Sequence, residues 1–177
     1  MNRIILIGSG GSGKTTLARR LGRKLGIETF HLDTLLWRPG WTLATREEQI
    51  ALQRELVRGE RWIIDGNYGG TLGIRMAAAD TIILLDFPPL LCLWRVIRRR
   101  LSYLGRTRPD MAEGCVEGIW LSATDREFFS RVRRFRRKGL PSIMRAIAEY
   151  GGGKQVITIR SKGDIEAFLA GLTSTHP

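Results

Sequence analysis

The most restrictive feature of the sequence is a glycine-rich segment, residues 8–15, that lies between an apolar run and an amphipathic run. It reads G-S-G-G-S-G-K-T and fits the pattern G-x-x-x-x-G-K-[ST] at every fixed position. The run before it, Arg3–Ile7, reads R-I-I-L-I, which is typical of a strand buried on both faces of a parallel sheet. After it, Leu17, Leu21 and Leu25 recur at helical spacing. The sequence therefore predicts a strand, a glycine loop and a helix in succession.

This succession indicates a binding site for a nucleoside triphosphate. Glycines let backbone N–H groups turn toward an anion, and the helix that begins at Lys14 directs its positive end at the same point. The Lys14 ammonium is expected to reach the β- and γ-phosphates, and the Thr15 hydroxyl is expected to coordinate Mg²⁺. The predicted nucleotide-binding residues are Gly8, Ser9, Gly10, Gly11, Ser12, Gly13, Lys14, Thr15 and Thr16.

The rest of the chain continues the alternation of strands and helices. Further apolar strands are predicted at 28–32, 62–64, 81–85 and 155–159, and helices at 45–59, 72–79, 90–103, 125–150 (with a break at 139–141) and 161–171. This pattern predicts one α/β domain over residues 1–177, with a five-stranded parallel sheet and helices on both faces. Residues 104–124 have weak periodicity and are expected to form an excursion from the core.

Composition narrows the class of protein. Apolar residues make up 43% and charged residues 26%, which excludes a disordered chain or a coiled coil. The 29 basic and 17 acidic residues give a net charge of +12, which attracts nucleotides, nucleic acid or an acidic membrane surface alike. The two cysteines and two histidines show no zinc spacing, and no apolar run reaches the ~18 residues of a membrane span. We expect a cytoplasmic protein that does not bind a membrane.

Three aspartates, Asp33, Asp65 and Asp86, lie at the ends of predicted strands. Open α/β sheets bind ligands at that edge, and Mg²⁺ in such a site needs a nearby carboxylate. Asp65 opens the sequence D-G-N-Y, in which the glycine allows close approach of the backbone. The alternative for each aspartate is a carboxylate that caps a turn.

Several blocks are more distinctive than the glycine loop alone. They are G-S-G-G-S-G-K-T-T-L-A at 8–18, H-L-D-T-L-L-W-R-P-G-W at 31–41, W-I-I-D-G-N-Y at 62–68, I-R at 74–75, A-A-D-T-I-I-L-L-D-F-P at 78–88 and R-T-R-P-D-M-A-E-G-C at 106–115. With these blocks the chain resembles the adenylate-kinase-like P-loop kinases and, more narrowly, the bacterial DNA topology modulation proteins.

The resemblance implies a nucleoside-monophosphate-kinase-like fold with a lid at about 104–124, and ATP as the nucleotide. It implies that Asp65 organises Mg²⁺, that Asp33 and Arg75 bind the phosphoryl acceptor, and that Arg95, Arg98 and Arg99 clamp phosphates. The chain departs from nucleotide kinases after Asp65, where they read G-F-P-R and this chain reads G-N-Y-G. A monophosphate acceptor is therefore not implied.

Aromatic and basic residues leave more than one interpretation open. Trp37, Trp41 and Tyr68 fall on predicted loops at the ligand edge and either stack on a flat acceptor or fill space beneath a loop. The arginine-rich segments 95–108 and 131–138 form a phosphate clamp, a nucleic-acid contact or a solvated helix face.

The predicted function is an ATP- and Mg²⁺-dependent phosphotransferase that acts on a small molecule, with nucleosides and nucleotides among the candidate acceptors. We expect Lys14, Asp33, Asp65, Arg95 and Arg99 to be catalytic, Thr15 and Asp65 to hold the metal, and Asp33, Trp37, Tyr68 and Arg75 to bind the acceptor. The alternative is a nucleotide-gated DNA-binding regulator with weak ATPase activity. Nucleic acid is not the main partner that we expect, and both a monomer and a homodimer stay open.

Overall fold

Apolar strands form the parallel sheet at the centre of the structure, a computed structural model that describes residues 1–118 and 123–172. The strands are β1 (Arg3–Gly8), β2 (Thr29–His31), β3 (Trp37–Arg38), β4 (Thr42–Leu43), β5 (Trp62–Asp65), β6 (Thr81–Leu85) and β7 (Gln155–Ile159). Five of them pair in the order β2-β5-β1-β6-β7, and every pair is parallel. The predicted five-stranded sheet is confirmed.

Helices connect successive strands of this sheet. They are α1 (Lys14–Leu25), α2 (Leu32–Leu36), α3 (Arg46–Leu56), α4 (Leu72–Ala78), α5 (Pro89–Ser102), α6 (Ala123–Arg133), α7 (Leu140–Tyr150) and α8 (Lys162–Gly171). Short 3₁₀ turns lie at Pro39–Trp41 and Gly69–Thr71, and a π-helical turn at Phe135–Gly139 separates α6 from α7. Capping boxes at Thr45 and Ser161 begin α3 and α8, close to the starts predicted for the helices at 45–59 and 161–171.

Both faces of the sheet are covered, because side chains alternate along each strand. Ile4 and Leu6 of β1 pack with α1 and α8 on one face, whereas Ile5 and Ile7 pack with α4 and α7 on the other. All four side chains are completely buried. The apolar composition of β1 thus fixes it as the central strand, and the loop that follows it opens at the carboxyl edge of the sheet.

The segment after β2 differs from the sequence expectation. The strand predicted at 28–32 ends at His31, and Leu32 begins a helix. The region around Trp37–Trp41, expected as a loop, contains a small antiparallel hairpin, residues 37–43, in which β3 pairs with β4. Its turn contains Gly40 with φ of 73°, and its base is closed by the Ala44 N–H donating to the Leu36 carbonyl at 2.8 Å. A strand of two residues is too short to show the alternation of apolar and polar residues by which strands are predicted from sequence.

The excursion after α5 contacts this hairpin. Within residues 104–118, Thr107 pairs with Val116 in an antiparallel bridge. The Trp41 Nε1–H donates to the Val116 carbonyl at 2.8 Å, and the Gly40 N–H donates to the Gly114 carbonyl at 3.2 Å. Residues 119–122 of the predicted excursion lie outside the described residues. The hairpin and the excursion are therefore joined by hydrogen bonds into one continuous segment on the ligand side of the sheet.

No helix within residues 1–118 and 123–172 has both the length and the apolar character needed to span a membrane. Cys92 and Cys115 are free thiols and completely buried. The Cys115 thiol donates to the Arg38 carbonyl at 3.2 Å, so it joins the excursion to the hairpin. These contacts agree with the prediction that both cysteines pack inside the fold.

Asp80 connects the amino ends of β1 and β6 by hydrogen bonds, at the edge of the sheet opposite the ligand edge. One carboxylate oxygen accepts the N–H groups of Asn2 and Arg3 at 2.8 and 2.9 Å, and the other accepts the Thr81 hydroxyl at 2.6 Å. Partial burial alone would raise the pKa of Asp80, but these hydrogen bonds outweigh it, so its pKa lies below the ordinary value. The ionised carboxylate therefore stabilises the folded state.

We predict that Asp80→Ala lowers the free energy of unfolding by about 1–2 kcal/mol at pH 7, because three hydrogen bonds to a charged acceptor are lost. The pKa is lower in the folded state, so this contribution is present above the unfolded-state pKa of about 4 and disappears as the pH falls through the folded-state value. Urea unfolding at pH 7 and pH 3 measures it, with the exposed Glu60→Ala as the control. An equal difference between wild type and variant at both pH values would contradict this account.

Candidate functional site

The glycine loop, residues 8–13, is pressed between β1 and two helices. Gly11 has φ of 77°, and a Cβ atom there would lie 2.3 Å from the Cys92 carbonyl oxygen of α5. A Cβ at Gly10 would lie 2.7 Å from the ring of Phe128 in α6. Both contacts explain why these positions are glycine. Helices α5 and α6 thus hold the loop in place from outside the sheet.

Lys14 lies across the loop at the start of α1. Its Nζ donates to the carbonyl oxygens of Gly8 and Ser9 at 3.1 and 2.9 Å. Burial lowers the pKa of the ammonium, while the negative charges of Asp65 and Asp33 act in the opposite direction. The Lys14 ammonium therefore lies close enough to Asp65 and Asp33, two of the predicted site residues, for their negative charges to act on it.

Two serine hydroxyls of the loop are buried, the Oγ atoms of Ser9 and Ser12, whose residues are 2% and 0% exposed. The Oγ of Ser12 has no hydrogen-bond partner in the described part of the chain, and that of Ser9 has only the Cys92 thiol beside it. A buried hydroxyl without a partner is destabilising, and a bound anion would supply an acceptor for it. Together with Lys14, these donors suit an anion seated in the loop.

Asp65 ends β5 next to the loop. In the sheet it is paired with Leu6 of β1 on one side and with His31 of β2 on the other. The residue is 3% exposed, and its Oδ2 lies 3.3 Å from the Nδ1 of His31. That oxygen accepts no hydrogen bond within the described residues. A buried carboxylate oxygen in this state is suited to a cation or to the water around one.

Asn67, two residues after Asp65, connects β5 to the glycine loop. It is not among the site residues predicted from the sequence. Its Oδ1 accepts the Gly8 N–H at 3.0 Å, and its Nδ2 donates to the Gly8 carbonyl. The side-chain amide thus satisfies both backbone groups of the first loop glycine. Asn67 is part of the D-G-N-Y block, but an asparagine at such a position is equally typical of a residue that only stabilises a turn.

The predicted acceptor residues Asp33, Trp37 and Tyr68 come together on the other side of Asp65. The Tyr68 hydroxyl donates to Asp33 Oδ1 at 2.8 Å. Burial, followed by the negative charge of Asp33, raises the pKa of Tyr68 well above its ordinary value, so the phenol keeps its proton. The Trp37 side chain contacts this phenol and packs edge-on against Trp41, with ring centroids 5.7 Å apart. Asp33 itself is exposed.

Arg75 contacts the backbone of the same turn. It is completely buried, and its guanidinium donates to the carbonyl oxygens of Gly66 and Asn67 at 2.6 and 3.2 Å. Burial lowers its pKa to about 10, so it stays charged at neutral pH. These contacts position the turn that carries Asn67 and Tyr68. The assignment of Arg75 to acceptor binding stays a prediction.

Asp86, the third aspartate at a strand end, has a different environment. Arg136 contacts its Oδ1 at 2.9 Å through Nε, and the Nε of Arg160 lies 3.9 Å from Oδ2. Next to it, the guanidinium of Arg95 lies 5.0 Å from the ring centroid of Phe87. Two guanidiniums already neutralise Asp86, so it is less suited to a metal than Asp65 is.

Arg99 connects α5 to the excursion. Its Nη1 lies 3.9 Å from the Asp110 carboxylate, which also contacts Arg108 at 3.5 Å. Burial and then the charge of Arg108 lower the pKa of Arg99. The charge of Arg99 also acts on Lys14 and Asp33, so the predicted Arg99 lies near both. Arg108 itself is buried and contacts Glu117 at 2.7 Å.

The residues present fit a magnesium ion that is shared with a nucleotide. The described residues contain no group of three His, Cys, Asp or Glu side chains that could hold a metal by themselves. Mg²⁺ is typically bound through one or two carboxylates together with substrate phosphates. Asp65 has a buried oxygen that accepts no hydrogen bond within the described residues and has His31 as a neighbour, and Thr15 lies half-buried in the first turn of α1. These two residues would hold the ion once phosphates supply the remaining ligands.

Solved structures of small-molecule kinases have the same fold. A shikimate kinase from Acinetobacter baumannii in complex with shikimate is 17% identical, with a TM-score of 0.57 over 96% of this chain and 89% of that chain. An unliganded sugar kinase from Janibacter sp. HTCC2649 is 16% identical, with a TM-score of 0.51 over 99% and 96% of the two chains. A shikimate kinase from Bacteroides thetaiotaomicron is 19% identical, with a TM-score of 0.51 over 96% and 94%.

Comparisons by sequence add nothing to this result. No protein-family model matches the chain, and no curated protein matches it. The narrower resemblance to DNA topology modulation proteins therefore stays a prediction. At this level of identity the solved structures establish the fold, and the chain has the P-loop kinase fold that they share.

We predict that Arg75→Met lowers the free energy of unfolding by about 3 kcal/mol, because the turn carbonyls at Gly66 and Asn67 lose their buried donor. Urea denaturation measures this, and the exposed Arg98→Met is expected to change stability by no more than about 0.5 kcal/mol. Unchanged stability combined with a raised KM for the acceptor would assign Arg75 to acceptor binding instead.

Proposed function

We propose that this protein transfers the γ-phosphoryl group of ATP to a hydroxyl group of a small molecule. The observation that carries the proposal is the arrangement at the carboxyl edge of the sheet: Lys14 lies on the glycine loop after β1, Asp65 ends the neighbouring strand β5, and Asp33 follows β2, the next strand along. A phosphate site, a metal-binding carboxylate and an acceptor-facing carboxylate therefore lie within one another's reach. Phosphoryl transfer requires these three groups and depends mainly on how they are positioned.

The nucleotide side of the site is formed by the loop. Its backbone N–H groups, the Ser9 and Ser12 hydroxyls and the Lys14 ammonium donate to the β- and γ-phosphates, and Thr16 follows them at the start of α1. Thr15 and Asp65 would hold Mg²⁺ there, and the ion would supply positive charge that offsets the negative charge of the phosphates. The contact from His31 keeps the carboxylate of Asp65 directed toward the loop.

The acceptor side is formed by Asp33, Tyr68 and Trp37. Because Tyr68 donates to one oxygen of Asp33, the carboxylate is held in place and keeps lone pairs for an acceptor hydroxyl. As the acceptor oxygen bonds to the γ-phosphorus, the bond to the β–γ bridging oxygen breaks, ADP leaves and the hydroxyl proton passes to Asp33. The structural neighbours, kinases named for a sugar and for shikimate, support a small-molecule acceptor.

Arginines supply positive charge around the transferred group. Arg99 lies near Lys14 and Asp33, where it would stabilise negative charge on the phosphoryl oxygens. Arg95 lies on the far side of the loop against Phe87 and is assigned to the nucleotide. Trp41 joins the hairpin to the excursion through its hydrogen bond to Val116. Closure of these two segments over the acceptor would exclude water from the reaction.

A second candidate function rests on the basic surface formed by the end of α6 and the π-helical turn after it. Six basic side chains are exposed there, of which Arg136 contacts Asp86: Arg131, Arg133, Arg134, Arg136, Arg137 and Lys138. Such a cluster suits contacts to a nucleic-acid backbone, as a DNA-binding regulator requires. DNA affinity that falls steeply with salt, together with ATP turnover that no acceptor stimulates, would favour the regulator over the kinase.

We predict that Lys14→Ala lowers ATP turnover at least ~100-fold, because the phosphates lose their charged donor in the site. ADP release from Mg-ATP in a coupled assay measures the turnover. A thermal melt reports the fold, and the exposed Lys162→Ala is the control of matched chemistry. Full turnover by a folded Lys14→Ala variant would refute the proposed site.

A second prediction concerns the acceptor side. In a panel of nucleosides, nucleoside monophosphates, sugars and hydroxy acids, one class is expected to stimulate ADP release by wild type. Asp33→Asn should abolish that stimulation and leave the basal rate intact, because Asp33 acts on the acceptor hydroxyl and not on the nucleotide. Glu47→Gln, an exposed carboxylate on α3, is the control. Stimulation that survives in Asp33→Asn would remove Asp33 from the acceptor site.

A further inference from the structure

Helix α5 exposes an apolar stripe that the proposed reaction does not use. Its members are Leu90, Trp94, Ile97, Leu101 and, just beyond the helix, Leu104, which are 76, 55, 44, 68 and 39% exposed. They recur at steps of four, three, four and three residues, the spacing of a seam between packed helices. Contiguous exposed apolar surface of this kind marks an interaction site on a soluble protein.

The core of the protein does not account for the stripe. The opposite face of α5 supplies the core with Cys92 and Val96, which are 0 and 4% exposed, and it supports the glycine loop through Gly11. On the outer face, Trp94, Ile97, Arg98, Leu101 and Ser102, all on α5, line a shallow open groove of about 420 Å³. The spacing of the stripe is that along which the apolar face of one other helix packs.

The charge of α5 favours a partner of negative charge. Helix α5 contains four arginines and no acidic residue. Arg99 and Arg100 already contact carboxylates within the chain, and Arg95 lies over Phe87. Arg98 takes part in no ion pair among residues 1–118 and 123–172, and its guanidinium lies 5.4 Å from the ring centroid of Trp94, in the middle of the stripe.

We propose that this face of α5 docks an acidic amphipathic helix of another protein. The partner's apolar side chains would fill the groove, and a carboxylate beside them would pair with Arg98. A second copy of this chain fits less well, because each copy carries a net charge of +12 and brings another Arg98 rather than a carboxylate. The inference is independent of the proposed kinase reaction.

The test uses the full-length protein and two designed helical peptides. Both peptides have leucine at the same 4-3-4-3 spacing, and their flanking positions are all glutamate in one and all lysine in the other. Fluorescence anisotropy of the labelled peptide measures binding. The glutamate peptide is expected to bind at least tenfold more tightly than the lysine peptide, and its affinity should fall several-fold between 50 and 300 mM NaCl.

Two variants localise the binding. Trp94→Ala, which removes an exposed ring, should weaken binding at least tenfold. Arg98→Glu should invert the preference between the two peptides. Arg137→Glu changes the net charge by the same amount at an exposed position outside α5, and it should leave the preference unchanged. Thermal melts of all three variants establish that they are folded.

Other occupants of the stripe give different results. Self-association of the protein in sedimentation equilibrium that strengthens with salt and is lost in Trp94→Ala would assign the stripe to a second copy and overturn the proposal. Trp94-dependent binding to phosphatidylserine vesicles with no peptide preference would assign it to a lipid surface. Equal binding of both peptides, or inversion of the preference by Arg137→Glu, would also refute it.

Discussion

The support of the glycine loop from outside the sheet is the constraint on which the rest of the site depends. The carbonyl of Cys92 in α5 approaches Gly11 so closely that no side chain fits between them, and Phe128 of α6 does the same at Gly10. From inside, Asn67 bonds to both backbone groups of Gly8. A loop held on three sides keeps its N–H groups preorganised, which is the condition for strong anion binding.

This support also connects distant parts of the sequence. Arg75 holds the turn that carries Asn67, so α4 contributes to the position of the loop through that turn. The same α5 that contacts Gly11 continues to Arg99 and into the excursion. A displacement of α5 would therefore move both the glycine loop and Arg99. The apolar stripe lies on the outer face of this helix, where a bound partner would act on both.

Sequence reasoning succeeded where a residue's role depends on local pattern. The strands are continuously apolar, and the capping boxes at Thr45 and Ser161 are local signals, so these elements were predictable. The sequence did not reveal the Asn67–Gly8 contact or the hairpin at 37–43, because both depend on residues that are brought together only by the fold. Arg75 shows the same limit, since its type suggests anion binding whereas its burial among carbonyls indicates support of a turn.

The three aspartates at strand ends show how environment separates residues that the sequence presents as equivalent. Asp65 is buried beside the loop and has an oxygen without a hydrogen bond, which suits a cation. Asp33 is exposed and fixed by the Tyr68 hydroxyl, which suits a neutral hydroxylated molecule that enters from solvent. Asp86 is neutralised by Arg136 and Arg160. The order of strands in the sheet produces this division, because β5 and β2 end on one side of the loop and β6 ends on the other.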